Sequence, residues 1–207
     1  MSDATWTRID SWLAANAAKI IGNLNPPASD GDLSHAEATI GAPMPDGLRD
    51  LYRRHNGLND DDNHGSLFYG MHFVPLAELV DRHSRTAGEP VPVRAADDGI
   101  DMHDILNPEW ITFAHDFGDC SLCVDLAPAA GGTIGQVIFT DQADSTAIWL
   151  ANGIEQFLAE FAGDLELNKY FLNSDALDEG NHFLDCIPEI DILNWVSSPR
   201  WQHLSPY

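Results

Sequence analysis

The sequence predicts a single α+β domain, with a largely antiparallel sheet and helices packed mainly on one of its faces. Amphipathic helical patterns occupy most of the first 54 residues, and four short β-branched or aromatic runs follow between residues 110 and 150. The connections between these runs are only five to seven residues long. They favour antiparallel neighbours, because a parallel crossover needs about a dozen residues or more. Along the chain, helices thus precede and follow a cluster of strands, and this order is typical of the α+β class.

The first helix is indicated by apolar residues at three- and four-residue steps, ended by two consecutive prolines. A second helix is predicted over residues 30–40, with Ser29 and Asp32 at capping-box spacing and a stop at Gly41. The apolar stripe of the first helix consists of Trp6, Ile9, Leu13, Ala17 and Ile20.

The third helix is predicted to begin at an Asp46 N-cap and to stop at a left-handed Asn56 and Gly57. Beyond it, residues 67–75 have the pattern of a strand and residues 76–85 that of a short amphipathic helix. The buried face of the third helix is expected to consist of Leu48, Leu51 and Tyr52.

Residues 86–108 are rich in Pro, Gly and Asp without a clear period, which predicts a surface loop. A last helix is predicted from about residue 152. Residues 1–167 are expected to form the main domain, and residues 168–207 an extension packed on it. Its tryptophans either add to the core or meet a partner, and the core is favoured because aromatic residues at irregular spacing usually bury.

Charge is the strongest compositional signal. Ten basic against 33 acidic residues give a net charge of −23. Residues 55–207 hold 26 of the acids and five of the bases, a net of −21. Such a surface repels nucleic acid and membranes and attracts basic partners. The alternative is that the charge serves only solubility or adaptation to salt, because net charge bears on association and not on fold.

The first residues lack the basic start and continuous apolar stretch of an export signal, and no run approaches membrane-spanning length. The chain has only three cysteines, and this small, odd number does not suit a disulfide framework. These features predict a soluble, cytoplasmic protein.

The stretch HNGLNDDDNHG, residues 55–65, invites comparison with a calcium loop. Starting at Asp60, the template requires a bidentate Glu at its twelfth position, where Met71 stands. We therefore interpret Asp60, Asp61 and Asp62 as an acidic loop between a helix and a strand.

Cys120 and Cys123 form a CxxC pair, but they lie in a predicted strand, where side chains three apart point to opposite faces. They are expected to be small buried residues rather than zinc ligands. No motif pairs a nucleophile with a base. The prediction is therefore no catalytic residue, no metal and no cofactor. A hydrolase built from His64, His103, His115 and Asp119 remains an alternative.

Several short motifs occur along the chain in a specific order and spacing: Trp6, Asn25-Pro26, Glu37 with Gly41, Met44-Pro45, Asn56-Gly57, Trp110-Ile111-Thr112, and Asp125-Leu126 with Gly131-Gly132. Together they resemble the SUKH superfamily over about residues 6–165. Thr112 stands where proline is frequent in that superfamily, and Met44 where leucine is usual.

The resemblance implies an α+β protein-binding module without catalysis of its own. The superfamily includes Smi/Knr-type fungal regulators of cell-wall synthesis and bacterial immunity proteins that neutralise toxins, commonly nucleases. An immunity protein is the leading expectation, because an acidic chain complements the basic surface that a nuclease offers to phosphates. A regulatory scaffold like the fungal proteins is the alternative, and a small metallohydrolase is the third hypothesis.

The expected partner is a basic protein, such as a cognate toxin, bound through acidic loops. Paired acids on loops can accept hydrogen bonds from Arg and Lys. The candidate contacts are Asp60, Asp61, Asp62, Asp97, Asp98, Asp101 and Asp104.

Overall fold

The computed structural model describes residues 3–59, 66–85 and 89–204. Across these residues it forms one α+β body around a mostly antiparallel six-stranded sheet, as the sequence predicts. The strands of this sheet are β1 (His72–Phe73), β2 (Ala95–Ala96), β3 (Trp110–His115), β4 (Cys120–Asp125), β5 (Gln136–Asp141) and β6 (Thr146–Ala151). Their spatial order is β1-β3-β4-β5-β6-β2. Only β2 is parallel to its neighbour, β6.

The helices of the described residues are α1 (Asp3–Asn16), α2 (Ala18–Asn23), α3 (Asp30–Ile40), α4 (Asp46–Arg54), α5 (Leu76–Arg85), α6 (Ile154–Glu166) and α7 (Ser174–Asp178). Helix α1 packs on α6, and α3 on α5. Apolar side chains of α1 to α6 and of one sheet face form the main core. Its fully buried members include Leu13, Leu51, Phe113, Phe139 and Leu158.

The first two predicted helices are largely confirmed. The stripe from Trp6 to Ile20 is buried, but it spans two helices because Ala17 leaves the helical conformation at φ −141°. The capping box is present: Ser29 Oγ accepts from the Asp32 amide at 3.1 Å, and Asp32 Oδ2 accepts from the Ser29 amide at 3.0 Å. Helix α3 ends at a left-handed Gly41, as predicted.

Both predicted ends of α4 are wrong in detail. Pro45, not Asp46, is the N-cap, and its carbonyl accepts from the Leu48 and Arg49 amides at 2.9 and 3.1 Å. The helix stops because His55 turns to an extended conformation at φ −144°. The left-handed Gly57 lies beyond it, where a Cβ would come within 2.6 Å of the Pro75 Cα. Close backbone approach, rather than helix termination, requires this glycine.

The strand predicted over residues 67–75 is mostly a turn. Residues Phe68–Gly70 form a 3-10 turn, and β1 has only two residues. Tyr69 and Gly70 adopt left-handed conformations, at φ 53° and 81°. The chain therefore folds back, so that the Leu67 amide bonds to the Met71 carbonyl at 2.8 Å.

The second face of the sheet is covered by the irregular segment 89–109 instead of by helices. Its apolar side chains, including Val93, Ile100 and Ile105, pack on strand residues such as Cys123 and Ile138 in a second, smaller core. The prediction of a surface loop is right for most of residues 89–108, but Ala95–Ala96 form β2, and the segment also closes a core.

The chain after residue 167 packs on the main core. Two short strands, β7 (Tyr170–Leu172) and β8 (Leu184–Cys186), pair antiparallel. Trp195 and Trp201 are buried in the main core, with their indole N–H groups donating to Asp141 Oδ2 and to the Ile190 carbonyl. This agrees with the core interpretation of these tryptophans. A domain boundary at residue 167 stays a prediction.

Glu37 joins α3 to the start of α4. Its Oε1 accepts from the Met44 amide at 3.0 Å and pairs with Arg49 at 2.5 Å. The hydrogen bond from Arg49 holds the pKa of Glu37 below its ordinary value. Because a lowered carboxyl pKa adds stability above the unfolded pKa, this contribution is lost as the pH falls through the folded pKa.

We therefore expect Glu37→Gln to lower the free energy of unfolding near neutral pH by about 1 kcal/mol. The difference from wild type should shrink on acidification and vanish once Glu37 is protonated. Urea unfolding across pH measures it. A difference that stays constant into acid would show that packing, not charge, is lost.

The segment 89–109 approaches the connection between β4 and β5 closely at Gly99. We therefore expect alanine substitutions at Gly99 and Gly131 to lower the free energy of unfolding by different amounts. Gly99 (φ 84°) and Gly131 (φ 96°) are both left-handed, but only a Cβ on Gly99 would meet backbone, 2.7 Å from the Gly132 nitrogen. Gly131→Ala should destabilise by about 1 kcal/mol. Gly99→Ala should lower the free energy of unfolding by about 3 kcal/mol or more, because the clash of its Cβ with the Gly132 backbone adds to the strain of the left-handed conformation. Equal losses in urea unfolding would contradict this contact.

Candidate interaction surface

Four of the seven candidate acids lie on the segment 89–109, which we call the acidic loop face. It carries six acidic residues and a single arginine. Asp60, Asp61 and Asp62 lie outside the described residues. The structure therefore bears on Asp97, Asp98, Asp101 and Asp104.

Asp97 ties three parts of the chain together. Its Oδ2 accepts from the Trp149 amide of β6 at 2.8 Å, and its own amide donates to the Ala147 carbonyl at 3.2 Å. Its Oδ1 lies 2.9 Å from Nε2 of His203, near the end of the described chain. Asp97 therefore holds the loop to the sheet edge as well as carrying charge.

Asp101 and Asp104 shape the loop by accepting backbone hydrogen bonds. Asp101 Oδ1 accepts from the His103 amide at 2.9 Å. Asp104 Oδ1 accepts from both the Val91 and the Leu106 amides, each at 3.0 Å. One oxygen of each carboxylate thus fixes the backbone, while an ionised carboxylate has two oxygens that accept.

Asp98 is exposed and lines a cleft of about 550 Å³ between the sheet edge and the end of the described chain. Within the cleft, Arg200 lies 5.6 Å from the centre of the Trp201 ring. It also pairs with both oxygens of Asp164, at 2.7 and 3.0 Å. Burial opposes the charge of Arg200, but the Asp164 hydrogen bonds outweigh it and raise the pKa of Arg200. The other lining residues include Asp97, Trp149 and His203.

Exposed apolar side chains accompany these acids. Val91, Met102 and Leu106 are 44%, 48% and 38% exposed. Because the Val91 and Leu106 amides bond to the same carboxylate oxygen, two distances of 3.0 Å place these amides at most 6.0 Å apart. The sequence-based prediction does not include Val91, Met102 and Leu106 as surface residues, although three large apolar residues in an acidic loop indicate a contact surface. Such a mixture is typical of protein contact surfaces.

Within the part of the chain that the structure describes, no hydrogen bond or ion pair joins the residues of the hydrolase alternative, His103, His115 and Asp119. His103 lies on the acidic loop face, whereas His115 is buried with Nε2 2.9 Å from Glu78 of α5. His64 lies outside the described residues. Over the described ranges, no group of three His, Cys, Asp or Glu side chains is placed to hold a metal ion.

The cysteines occupy the two faces of the sheet, as predicted. Cys120 belongs to the main core and Cys123 to the second core. Burial raises the pKa of Cys123 to about 11. A buried thiol that stays protonated is a poor nucleophile and metal ligand.

No helix within the described ranges is long and apolar enough to cross a membrane.

Comparison with known proteins places these features in a family. The family model described as SMI1 / KNR4 family (SUKH-1) matches residues 27–160. KNR4/SMI1 homolog 2 of Debaryomyces hansenii is 24% identical, over an alignment that covers 88% of this chain and 38% of that protein.

Other curated relatives show the same partial coverage. Cell wall assembly regulator SMI1 of Saccharomyces cerevisiae is 23% identical, covering 84% of this chain and 42% of its own length. The glucan synthesis regulatory protein of Neurospora crassa is 22% identical, covering 84% and 40%. The chain thus spans about 40% of the length of these relatives.

The hydrogen bonds of the acidic loop face predict different roles for two of its acids. Asp104→Ala removes the acceptor of two amides and should lower the free energy of unfolding by about 1–3 kcal/mol. It should also speed hydrogen exchange of the Val91 and Leu106 amides. Asp98→Ala, at an exposed position, should change stability by less than about 0.5 kcal/mol. Equal stability of the two variants would contradict this assignment.

Proposed function

Because the chain belongs to the SMI1/KNR4 family (SUKH-1), we propose that it is a regulatory module without catalysis of its own that acts by binding another protein. The names of its relatives support regulation: they are regulators of cell wall assembly and of glucan synthesis. The chain spans less than half the length of those regulators.

The observation that carries the proposal is the acidic loop face. Its segment holds six acids, one arginine and three exposed large apolar side chains, and its own carboxylates fix its backbone. A preorganised loop loses little conformational entropy when it binds. The partner is a basic protein, because positive charge is attracted to this face whereas phosphate-rich nucleic acid and anionic membranes are repelled.

Within this face, Asp98 is the exposed charge best placed for contact, since Asp97, Asp101 and Asp104 also hold the backbone. Complementary charges across a protein interface contribute more to specificity and to the association rate than to raw affinity. The apolar side chains supply the area that a partner would remove from water.

A second candidate function is an antidote that blocks a basic toxin, and the net charge of −23 is the observation that favours it. The fungal regulators named above favour the regulatory function instead. Co-expression separates the two. A partner that stops growth alone, and is harmless with this chain, is a toxin, whereas a harmless partner supports regulation.

We expect Asp98→Lys to weaken binding of the native partner, captured from the source cell, by at least about tenfold. The matched control is Asp178→Lys on α7, which makes the same charge change at another exposed position. It should change the dissociation constant by less than about threefold, measured at fixed salt.

Two results would contradict this prediction. Equal weakening by both variants would assign binding to net charge rather than to this face. Unchanged affinity in both would place the contact elsewhere.

A further inference from the structure

A second surface stands apart from the acidic loop face, at the turn of residues 116–119 between β3 and β4. Phe117 in this turn is left-handed, at φ 64°, and 66% exposed. A bulky residue with positive φ is a genuine outlier, because glycine or asparagine adopts this conformation with less strain. The backbone of Phe117 is therefore strained, although its aromatic ring is largely exposed to water.

Hydrogen bonds hold Phe117 in this conformation. Its amide donates to Nδ1 of buried His115 at 2.9 Å. Because Nδ1 accepts, the imidazole proton lies on Nε2, which donates to Glu78 at 2.9 Å. Burial lowers the pKa of His115 and so favours this neutral form. Asp116 Oδ1 accepts from the Gly118 amide at 2.8 Å and closes the turn.

The Phe117 ring packs against the rings of His115 and His72. It meets the His115 ring edge-on, with centroids 4.6 Å apart, and the His72 ring at 5.3 Å. Two thirds of the side chain stays exposed despite these contacts. Aromatic residues, Phe among them, are enriched in protein interfaces relative to the rest of the surface.

The charge around Phe117 indicates the kind of partner. Asp116 and Asp119 flank it within the turn. The neighbouring β5–β6 turn is joined through the Gln142 amide to the Asp119 carbonyl at 3.0 Å and adds Asp144. The turn that carries Phe117 and the turn bonded to it thus hold three acidic residues, Asp116, Asp119 and Asp144.

We propose that Phe117 is an aromatic anchor that inserts into an apolar pocket, rimmed by Lys or Arg, on a basic protein partner. This inference rests on the proposed function, in which the chain binds such a partner. It adds a second point of contact, made by a single ring, to the acidic loop face.

The first test asks whether the Phe117 ring serves binding or instead stabilises the fold by covering the imidazoles of His115 and His72. Phe117→Gly relieves the left-handed strain and removes the ring contacts. An anchor predicts that this variant unfolds at an unchanged or higher urea concentration. A lower unfolding midpoint would show that the fold retains the ring for its own stability, and would overturn the proposal.

The second test uses a probe that copies the inferred pocket. A β-cyclodextrin with amino groups on one rim encloses a phenyl ring and carries cationic charge around it. NMR titration of the wild type should shift the Phe117 amide, and Phe117→Gly should weaken binding by at least about tenfold.

Phe171→Ala, at the 45% exposed Phe171, is the matched aromatic control and should change affinity less than about twofold. Neutral β-cyclodextrin should bind more weakly than the amino form, and salt should narrow the gap. Equal losses in the two variants, or equal binding of the two cyclodextrins, would overturn the proposal.

The native partner supplies the last test and separates this inference from the proposed function. Phe117→Gly should weaken partner binding by at least about tenfold. If Asp98→Lys weakens binding and Phe117→Gly does not, the anchor is wrong and the acidic loop face stands. If only Phe117→Gly weakens it, the anchor stands and the acidic loop face is wrong.

Discussion

The close approach of Gly99 to Gly132 allows an irregular segment to cover the second face of the sheet. Without a Cβ at either position, the Gly99 carbonyl accepts from Nε2 of the buried Gln136 side chain at 3.0 Å and from the Ala129 backbone amide at 3.0 Å. Gln136 also donates to buried Asp125 at 2.9 Å. Backbone groups that cross a buried face must find partners, since an unpaired buried polar group is costly. These polar side chains supply them, so that a loop can take the place that helices take on the other face.

This constraint links the fold to the proposed function. A loop that closes a core must be rigid, and Asp97, Asp101 and Asp104 make it so by accepting backbone hydrogen bonds. The carboxylates that fix the loop also make its outer surface acidic. Rigidity lowers the entropy lost on association, and the charge raises the rate of encounter with a basic partner.

Much of the fold could be predicted from periodicity and turn chemistry, because those signals are local. The capping box at Ser29, the stripe from Trp6 to Ile20 and the four central strands are read from neighbouring residues alone. The strand predicted around Tyr69 failed for a tertiary reason. Its left-handed conformation accompanies burial of Phe68 against Phe157 and Phe161, which are distant in sequence.

The candidate surface could be predicted only in part. Acidic composition pointed to Asp97 through Asp104, but their bonds to Trp149, His203 and Val91 depend on chain packing. The exposure of Phe117 had no sequence signal, because an aromatic beside a strand normally suggests core.

The most direct test of the central claim is hydrogen exchange of the chain with and without its native partner, followed amide by amide. The account predicts new protection concentrated in residues 89–109, with little change on α1, α3 and α4. Protection concentrated on those helices, with 89–109 unaffected, would contradict it.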